Sequence, residues 1–135
     1  MLAESHETMR RSLRRLLEAE HGVRVIAEAT DRATAISLLL SCRPAVLVLD
    51  PSLWSGCGLE FIRRLRNLAP RTQIVILTMQ EIPAFAQQAL NAGAVGFVMK
   101  DRADTELTDA VRAAVRGHIY ASPRVAPQLA ARGRD

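Results

Sequence analysis

Polar side chains stand directly after four apolar stretches of this sequence, and one of them is a lone carboxylate. Residues 45–49 are continuously apolar and end at Asp50. Pro44 and Pro51 bound this run, which is typical of a strand buried on both faces of a parallel sheet. Because a buried charge is costly, we expect Asp50 at the carboxyl end of the strand, where open α/β sheets bind ligands. Asp50 is therefore the leading candidate for a functional residue.

The other three apolar stretches end in residues of complementary chemistry. Glu4 and Ser5 follow the first stretch, Thr78 ends a later one, and Lys100 follows the last. The carboxyl ends of parallel strands share one edge of the sheet, so these groups should converge on Asp50. A carboxylate can accept a phosphoryl group, and Mg²⁺ would bridge carboxylates and phosphate oxygens. A hydroxyl and an ammonium would neutralise the remaining phosphate oxygens.

Each of these residues also has an ordinary structural interpretation. Thr78 could be a β-branched strand residue, Lys100 a solvated strand end, and Glu4 with Ser5 a helix N-terminus capped by Ser5. Lys100 is nevertheless the only lysine in a chain whose 18 basic residues are otherwise all arginine. Lysine supplies a compact point charge where arginine supplies a planar fork. The set placed after the correct strands is much more specific than any member of it.

Strand and helix patterns alternate five times along the chain, with short connections. The predicted fold is an α/β doubly wound parallel sheet with helices on both faces. Thr30 or Asp31 can cap the second helix, and Asp104 the fifth. We expect Leu40 and Val115 to face inward with the other apolar residues of these helices. The predicted strands cover residues 1–3, 23–29, 45–49, 74–78 and 94–100.

Composition is that of one soluble globular domain. The 135 residues are 49% hydrophobic and 24% charged, with a formal net charge of +4, and no apolar run reaches membrane-spanning length. Cys42 and Cys57 lack metal-ligand spacing, so we expect free thiols in a reducing cytoplasm. Four arginines of the first helix favour a solvated face over a nucleic-acid site, because few aromatics accompany them. Residues 118–135 lack apolar periodicity and predict a short extension and then a flexible tail.

Taken together, these motifs resemble the receiver domains of two-component response regulators, in the CheY-like superfamily. The resemblance covers residues 1 to about 120 and leaves 121–135 as a linker or tail. Residues 92–97 and 117–123 resemble the NarL/FixJ-type branch, in which a DNA-binding domain commonly follows; here the chain ends first. Five motifs carry the resemblance to receiver domains as a whole: Glu-Ser-His at 4–6, Val-Leu-Asp at 48–50, Gly-Leu-Glu at 58–60, Leu-Thr at 77–78 and Phe-Val-Met-Lys at 97–100.

The resemblance implies a flavodoxin-like (βα)5 fold with strand order 2-1-3-4-5, and it implies roles for the site residues. Asp50 would be the phosphoacceptor, and Thr78 and Lys100 would hold the phosphoryl oxygens. Phe97 falls at the family's switch aromatic, although a core aromatic is an equally good interpretation of this sequence. A sensor histidine kinase would be the phosphoryl donor, and the protein itself would be cytoplasmic. The implied Mg²⁺ ligands are Glu4, Ser5, Asp50 and the backbone carbonyl of Ser52.

The sequence departs from the family pattern in ways that bear on the metal. The usual acidic pair is Asp-Asp, but here it is Glu4 and Ser5, so one carboxylate is lost and Mg²⁺ should bind less well. Trp54 replaces the usual proline four residues after the phosphoacceptor, and Cys57 occupies a loop position that is often acidic. Only three residues precede Glu4, which predicts an abbreviated central strand. Either this strand weakens the sheet, or the native reading frame begins upstream.

Three functions remain open at this level. The preferred one is a phosphorylatable, non-enzymatic switch that can form a homodimer and that acts on DNA only through a domain absent from this chain. The second is a pseudo-receiver that works by dimerisation or protein contacts without phosphorylation. The third, a small hydrolase with Asp50 as nucleophile, needs a second acid beside it, and residues 50–52 (Asp-Pro-Ser) supply none.

Overall fold

One parallel sheet organises the chain, which we describe from a computed structural model covering residues 1–53, 59–79 and 83–121, the side chains of Pro83 and Ala84 excepted. Six strands within these residues lie in the order β2-β1-β3-β4-β5-β6, and all neighbours are parallel. The strands are β1 (Leu2–Ala3), β2 (Glu28–Ala29), β3 (Val46–Leu49), β4 (Gln73–Thr78), β5 (Gly96–Met99) and β6 (Tyr120–Ala121).

Helices cover both faces of the sheet, because successive side chains of a strand point to opposite faces. The helices are α1 (Glu7–Glu18), α2 (Arg32–Cys42), α3 (Leu59–Leu68), α4 (Pro83–Asn91) and α5 (Ala103–Val115). On one face Val46, Val48 and Leu77 pack with α1 and α5, and on the other Leu47 and Ile76 pack with α2, α3 and α4. This arrangement confirms the predicted doubly wound α/β class.

The predicted order 2-1-3-4-5 is confirmed, but the structure adds a sixth strand. Tyr120 pairs with Gly96, and Ala121 pairs with Phe97. The short extension predicted from residue 118 therefore contains a strand, β6, that was not predicted from the sequence. A two-residue strand is too short to show periodicity in the sequence, and its pairing depends on the exposed edge that β5 offers. Residues 122–135 lie outside the described part of the chain.

β2 is much shorter than the predicted strand at residues 23–29. Only Glu28 and Ala29 pair with a neighbour, and that neighbour is the two-residue β1. The last backbone hydrogen bond on this side runs from Leu2 N to Ala27 O at 3.0 Å. A strand has no ladder to extend where its partner has ended, so residues 23–26 leave the sheet although their alternation favours a strand. The prediction of an abbreviated central strand is confirmed.

Three helix boundaries test the predicted caps. Asp31 caps α2, because its Oδ1 accepts a hydrogen bond of 2.8 Å from the Thr34 amide. Ser5 is not a cap: α1 begins at Glu7 after His6, with no side-chain cap bond. Asp104 is likewise inside the first turn of α5, which begins at Ala103. Acidic residues are favourable in a first turn as well as at a cap. An acid near the start of a helix can therefore lie one or two residues from the actual cap position.

Two apolar residues expected in the core are exposed. Leu40 is 46% exposed and Val115 is 63% exposed. Each follows a buried residue, Leu39 or Ala114. The next position of a helix lies about 100° around the axis, which takes both side chains off the buried stripe.

The basic face of α1 is occupied by ion pairs. Arg11 contacts Glu7 at 2.7 Å, and Arg14 contacts Glu28 at 2.7 Å. Arg10 lies 3.4 Å from the same Glu28. These contacts support the interpretation of a solvated helix face. Among the described residues, no helix has the length and apolar character needed to cross a membrane.

Candidate functional site

The carboxyl ends of four strands meet at one edge of the sheet, which we call the carboxyl edge. Glu4 follows β1, Asp50 follows β3, Thr78 ends β4, and Lys100 follows β5. Backbone hydrogen bonds of 3.0 Å from Glu4 N to Ala29 O and from Asp50 N to Ala3 O extend the ladders to these residues. The parallel register thus brings the predicted acids and the lysine together.

Lys100 bridges the two acids. Its Nζ donates to Glu4 Oε1 at 2.8 Å and to Asp50 Oδ2 at 2.7 Å. All three side chains are buried, with exposed fractions of 5% for Lys100, 0% for Glu4 and 5% for Asp50. Short charge-assisted hydrogen bonds of this kind are strong. The single lysine therefore compensates two buried carboxylates, a task for which a compact ammonium is suited.

The turn after β3 also fixes the Asp50 carboxylate. The Ser52 amide donates to Oδ1 and the Ser52 hydroxyl donates to Oδ2, both at 2.9 Å. Pro51 begins the short 3₁₀ turn, Pro51–Leu53, that places Ser52 back over Asp50. The carboxylate is therefore held in one orientation by the turn and by Lys100.

The pKa values of the two carboxyl groups move apart. Burial raises the pKa of Glu4, and its proximity to Asp50 raises it further against the opposing effect of Lys100. Burial would also raise the pKa of Asp50, but hydrogen bonds from Glu4, Lys100 and Ser52 outweigh it and lower that pKa. Two close carboxyl groups titrate in this way because one of them retains a proton more readily than the other. Asp50 is consequently the member of the pair that ionises more readily.

Lys100 stays protonated in this setting. Burial lowers its pKa, but hydrogen bonds to Asp50 and Glu4, and their charges, raise the pKa above the ordinary value. An ammonium at the carboxyl edge is then available to an anionic group on Asp50. This is the electrostatic arrangement that stabilises negative charge developing on transferred oxygens.

The remaining predicted residues lie in different surroundings. The Ser5 side chain is exposed, whereas Thr78 is buried at the end of β4. Phe97 is fully buried, and its ring meets that of Phe85 edge-on at 5.9 Å between centroids. Cys42 is a free thiol, as predicted. Trp54 and Cys57 lie outside the described residues.

His6 is a site residue that the sequence interpretation did not assign. Its Nδ1 lies 3.4 Å from Glu4 Oε1. One potential ligand atom from each of Glu4, His6 and Asp50 falls within 4.8 Å of the other two. The signal available in the sequence was an imidazole two positions after the first acid, within the same turn between β1 and α1.

The donor atoms of this cluster fit a divalent cation. Glu4 and Asp50 supply the carboxylate oxygens that Mg²⁺ prefers. No N–H or O–H group of the described residues donates to the buried Glu4 Oε2. A cation would satisfy this oxygen, and the residues present are thus compatible with a metal of the kind that the resemblance implies.

Comparison with known sequences agrees with these features. A family model for the response regulator receiver domain matches residues 1–112. The chain is 36% identical over 125 residues to the nitrate/nitrite response regulator protein NarP of Escherichia coli, covering 93% of this chain and 58% of NarP. It is 31% identical over 130 residues to the oxygen regulatory protein NreC of Staphylococcus epidermidis, covering 96% of this chain and 60% of NreC. The chain thus spans less than two thirds of these relatives.

Solved structures of response regulators are also similar to this chain. A LuxR-family two-component response regulator from Aurantimonas sp. matches with a TM-score of 0.90 and 35% identity, over 100% of this chain and 96% of that one. The isolated REC domain of RcsB from Salmonella enterica, solved with the phosphomimetic BeF3⁻, matches with a TM-score of 0.85 and 28% identity, over 95% of each chain.

Proposed function

The chain belongs to the response regulator receiver-domain family, and from that premise we propose that it is a phosphorylatable switch whose acceptor is Asp50. The observation that carries the proposal is the pair of short hydrogen bonds from Lys100 to Asp50 and Glu4. They place an ammonium against Asp50, the member of the Glu4 and Asp50 pair whose pKa is lowered. An ionised acceptor beside a fixed cation is what transfer of a phosphoryl group to a carboxylate requires.

The transfer is a substitution at phosphorus. An Asp50 oxygen attacks the phosphorus of the donor, an O–P bond forms, and the bond from phosphorus to the donor breaks. The donor group keeps that electron pair and takes up a proton. Lys100 and Thr78 hold the oxygens of the incoming group, so the negative charge is neutralised where it accumulates. The donor proposed here is the phosphohistidine of a sensor histidine kinase.

Mg²⁺ would be held by Glu4, Asp50 and the backbone carbonyl of Ser52, with the Ser5 hydroxyl nearby. When bound, it would neutralise phosphate oxygens and favour their approach to Asp50. Ser5 is exposed and carries no charge, so the protein supplies one carboxylate fewer than the usual acidic pair. We therefore propose that Mg²⁺ binds less tightly than in a receiver with two acids, with Glu4 and Asp50 as its carboxylate ligands.

The output of the switch is proposed to be the face formed by α4, β5 and α5. Phe97 lies on β5, three residues before Lys100. Its ring is buried against Phe85 of α4. New contacts of Thr78 and Lys100 to a phosphoryl group would shift the population between two packings of this region.

The rest of the regulatory system is proposed from the relatives. NarP and NreC are regulatory proteins of which this chain spans 58% and 60%. We propose that its signal controls transcription in the cytoplasm, through an effector domain that binds DNA, with homodimerisation of the receiver. The receiver itself acts as a signalling element rather than as an enzyme.

Intact-mass analysis tests the acceptor. The protein is incubated with a small acyl phosphate, with and without MgCl₂, and the addition of one phosphoryl group is measured. We expect a metal-stimulated adduct that is lost in Asp50→Asn. Asp101→Asn is the matched control, because Asp101 is an exposed acid next to Lys100, and this variant should be labelled like the unmodified chain.

Two outcomes would contradict the proposal. An adduct that persists in Asp50→Asn would move the acceptor to another residue. The absence of any adduct, under conditions that label an ordinary receiver, would favour the pseudo-receiver alternative. The oligomeric state at several protein concentrations would then be the next measurement.

A further inference from the structure

The carboxyl edge carries an imidazole close to the position where the family's second acid is missing. His6 Nδ1 lies 3.4 Å from Glu4 Oε1. Two ligands each about 2.1 Å from a four-coordinate metal ion are about 3.4 Å apart at the tetrahedral angle. The spacing of these two atoms is therefore that of two ligands on one ion.

A second, independent observation points to a cation here. Glu4 is completely buried, yet its Oε2 receives no hydrogen bond from the described residues. Unsatisfied buried carboxylate oxygens cost free energy. Oε1 of the same side chain accepts from Lys100 and lies beside His6, so a cation bound by the Glu4 carboxylate next to His6 would satisfy the remaining oxygen, Oε2.

The kinds of donor atom determine which cations the cluster suits. Imidazole nitrogen is a good ligand for Co²⁺, Ni²⁺ and Zn²⁺ and a poor one for Mg²⁺, which demands oxygen ligands in near-octahedral geometry. Exchanging the second acid for serine removes a carboxylate ligand, and His6 offers a nitrogen ligand nearby. Both changes shift the preference of the site away from Mg²⁺ and toward Co²⁺, Ni²⁺ and Zn²⁺.

We propose that Glu4, His6 and Asp50 form a mixed nitrogen–oxygen site that selects a divalent transition metal of the Co²⁺ to Zn²⁺ type over Mg²⁺. This inference rests on the proposed function, because it names the cation that the phosphoacceptor site takes. His6 is the ligand that distinguishes this site from one built of oxygen alone.

The surroundings allow His6 to complete the site. Its side chain is 72% exposed, and rotation can bring Nδ1 closer to Asp50, whose ligand atom lies within 4.8 Å. His6 precedes α1 without a side-chain capping bond. Metal binding by His6 therefore sacrifices no helix cap, and neither does its replacement by alanine.

Calorimetric titration of the unphosphorylated chain with ZnCl₂, CoCl₂ and MgCl₂ tests the proposal. Loss of a metal ligand should weaken binding at least as much as loss of a group that merely orients one, which is typically about tenfold to 100-fold. We expect His6→Ala to weaken Zn²⁺ and Co²⁺ binding by about tenfold or more, with Mg²⁺ binding unchanged. Ser5→Asp, which restores the second acid, should strengthen Mg²⁺ binding.

The chain supplies its own controls, because it has three histidines. His118 and His21 are exposed, and neither is part of the Glu4, His6 and Asp50 cluster. His118→Ala should bind Zn²⁺ like the unmodified chain. In the ¹⁵N NMR spectrum of the imidazoles, Zn²⁺ should shift Nδ1 of His6 and leave the signals of His21 and His118 in place.

Two results would overturn the assignment. One is equal Zn²⁺ affinity in His6→Ala and His118→Ala, and the other is a Zn²⁺-dependent shift confined to His21 or His118. Neither measurement depends on phosphorylation. A chain that binds Zn²⁺ through His6 but accepts no phosphoryl group would contradict the proposed function and leave the metal assignment intact.

Discussion

Two buried glutamates, one at the carboxyl edge and one beneath the last strand, have nearly the same burial and opposite surroundings. Glu4 is 0% exposed and Glu106 is 6% exposed. Each has one carboxylate oxygen, Oε2, that receives no hydrogen bond from the described residues. Oε1 of Glu4 accepts from the Lys100 ammonium, whereas Oε1 of Glu106 accepts from the Tyr120 hydroxyl at 3.3 Å.

The difference lies in the charge of the partner. An ammonium shared between two acids leaves a polar cluster that another ion can enter, so the Glu4 region is suited to chemistry. A phenol is neutral, and Tyr120 is anchored by backbone pairing with Gly96. The Glu106 region is therefore suited to holding β6 against α5. Burial of an acid alone does not identify a site; the partner does.

Lys100→Met would give the largest loss of stability in this comparison. It leaves Glu4 and Asp50 buried without their cation. Breaking a buried ion pair by removing one member typically costs about 3 kcal/mol or more. We expect a decrease of about that size in the free energy of unfolding at neutral pH, measured by urea denaturation. A decrease below about 1 kcal/mol, the range of exposed pairs, would contradict the assigned burial of the cluster.

The free energy of unfolding, measured by urea denaturation over a series of pH values, tests the same comparison. The lowered pKa of Asp50 contributes stability that is present above its unfolded value of 3.8 and is lost as pH falls through the folded value. The raised pKa of Lys100 contributes stability that is present below 10.5 and is lost as pH rises through the folded value. Glu4 opposes both above its unfolded value of 4.5, because its raised pKa favours the protonated form. The deficit of Lys100→Met should shrink as pH falls and the acids protonate.

Tyr120→Phe would remove the only hydrogen bond described for the Glu106 carboxylate. A buried acceptor left without a donor costs about 1 to 3 kcal/mol, and the long 3.3 Å bond places this case near about 1 kcal/mol. Urea denaturation measures the change. The double variant Tyr120→Phe with Glu106→Leu is the control, because replacing both partners by apolar groups is nearly neutral. A double variant no more stable than Tyr120→Phe would contradict the assigned pairing.

The phenol itself can be titrated, since Tyr120 is the only tyrosine of the chain. Burial, and then the charge of Glu106, raise its pKa from 10.0 to about 12. Phenolate absorbance should therefore show a midpoint near pH 12, and Glu106→Gln should bring it back toward 10.0. The contribution of Tyr120 to stability is complete below pH 10.0 and falls as pH rises toward 12, because the unfolded chain loses its phenol proton first. A midpoint near 10 in the unmodified chain would place Tyr120 away from Glu106.

These two regions also show what the sequence could predict. The carboxyl edge was predictable because Asp50 and Lys100 each follow a strand, and parallel pairing fixes where strand ends meet. The doubly wound fold followed from the same alternation of apolar runs and amphipathic helices. The meeting of distant strand ends could thus be predicted from local sequence patterns, because the strands of the sheet are parallel and successive strands are connected by a helix.

β6 and the contact between Tyr120 and Glu106 could not be predicted in this way. A two-residue strand has no period, and its place is determined by the free edge of β5. The buried acid on α5 looks like any first-turn acid until its neighbour across the sheet edge is known. His6 was missed for a related reason. Its distance from Glu4 depends on the conformation of the turn between β1 and α1, and a turn has no hydrophobic period from which that conformation could be predicted.

An exposed ion pair on α1 gives the smallest expected contribution to stability in this comparison. Arg11 contacts Glu7 at 2.7 Å, closer than Lys100 is to Glu4, but the two side chains are 70% and 65% exposed. Water screens their attraction, and exposed helix pairs at this spacing contribute about 0.3 to 0.5 kcal/mol. Glu7→Gln should therefore lower the free energy of unfolding by no more than about 0.5 kcal/mol, and less at high salt. A loss equal to that of Lys100→Met would show that distance, rather than burial, sets the strength of these pairs.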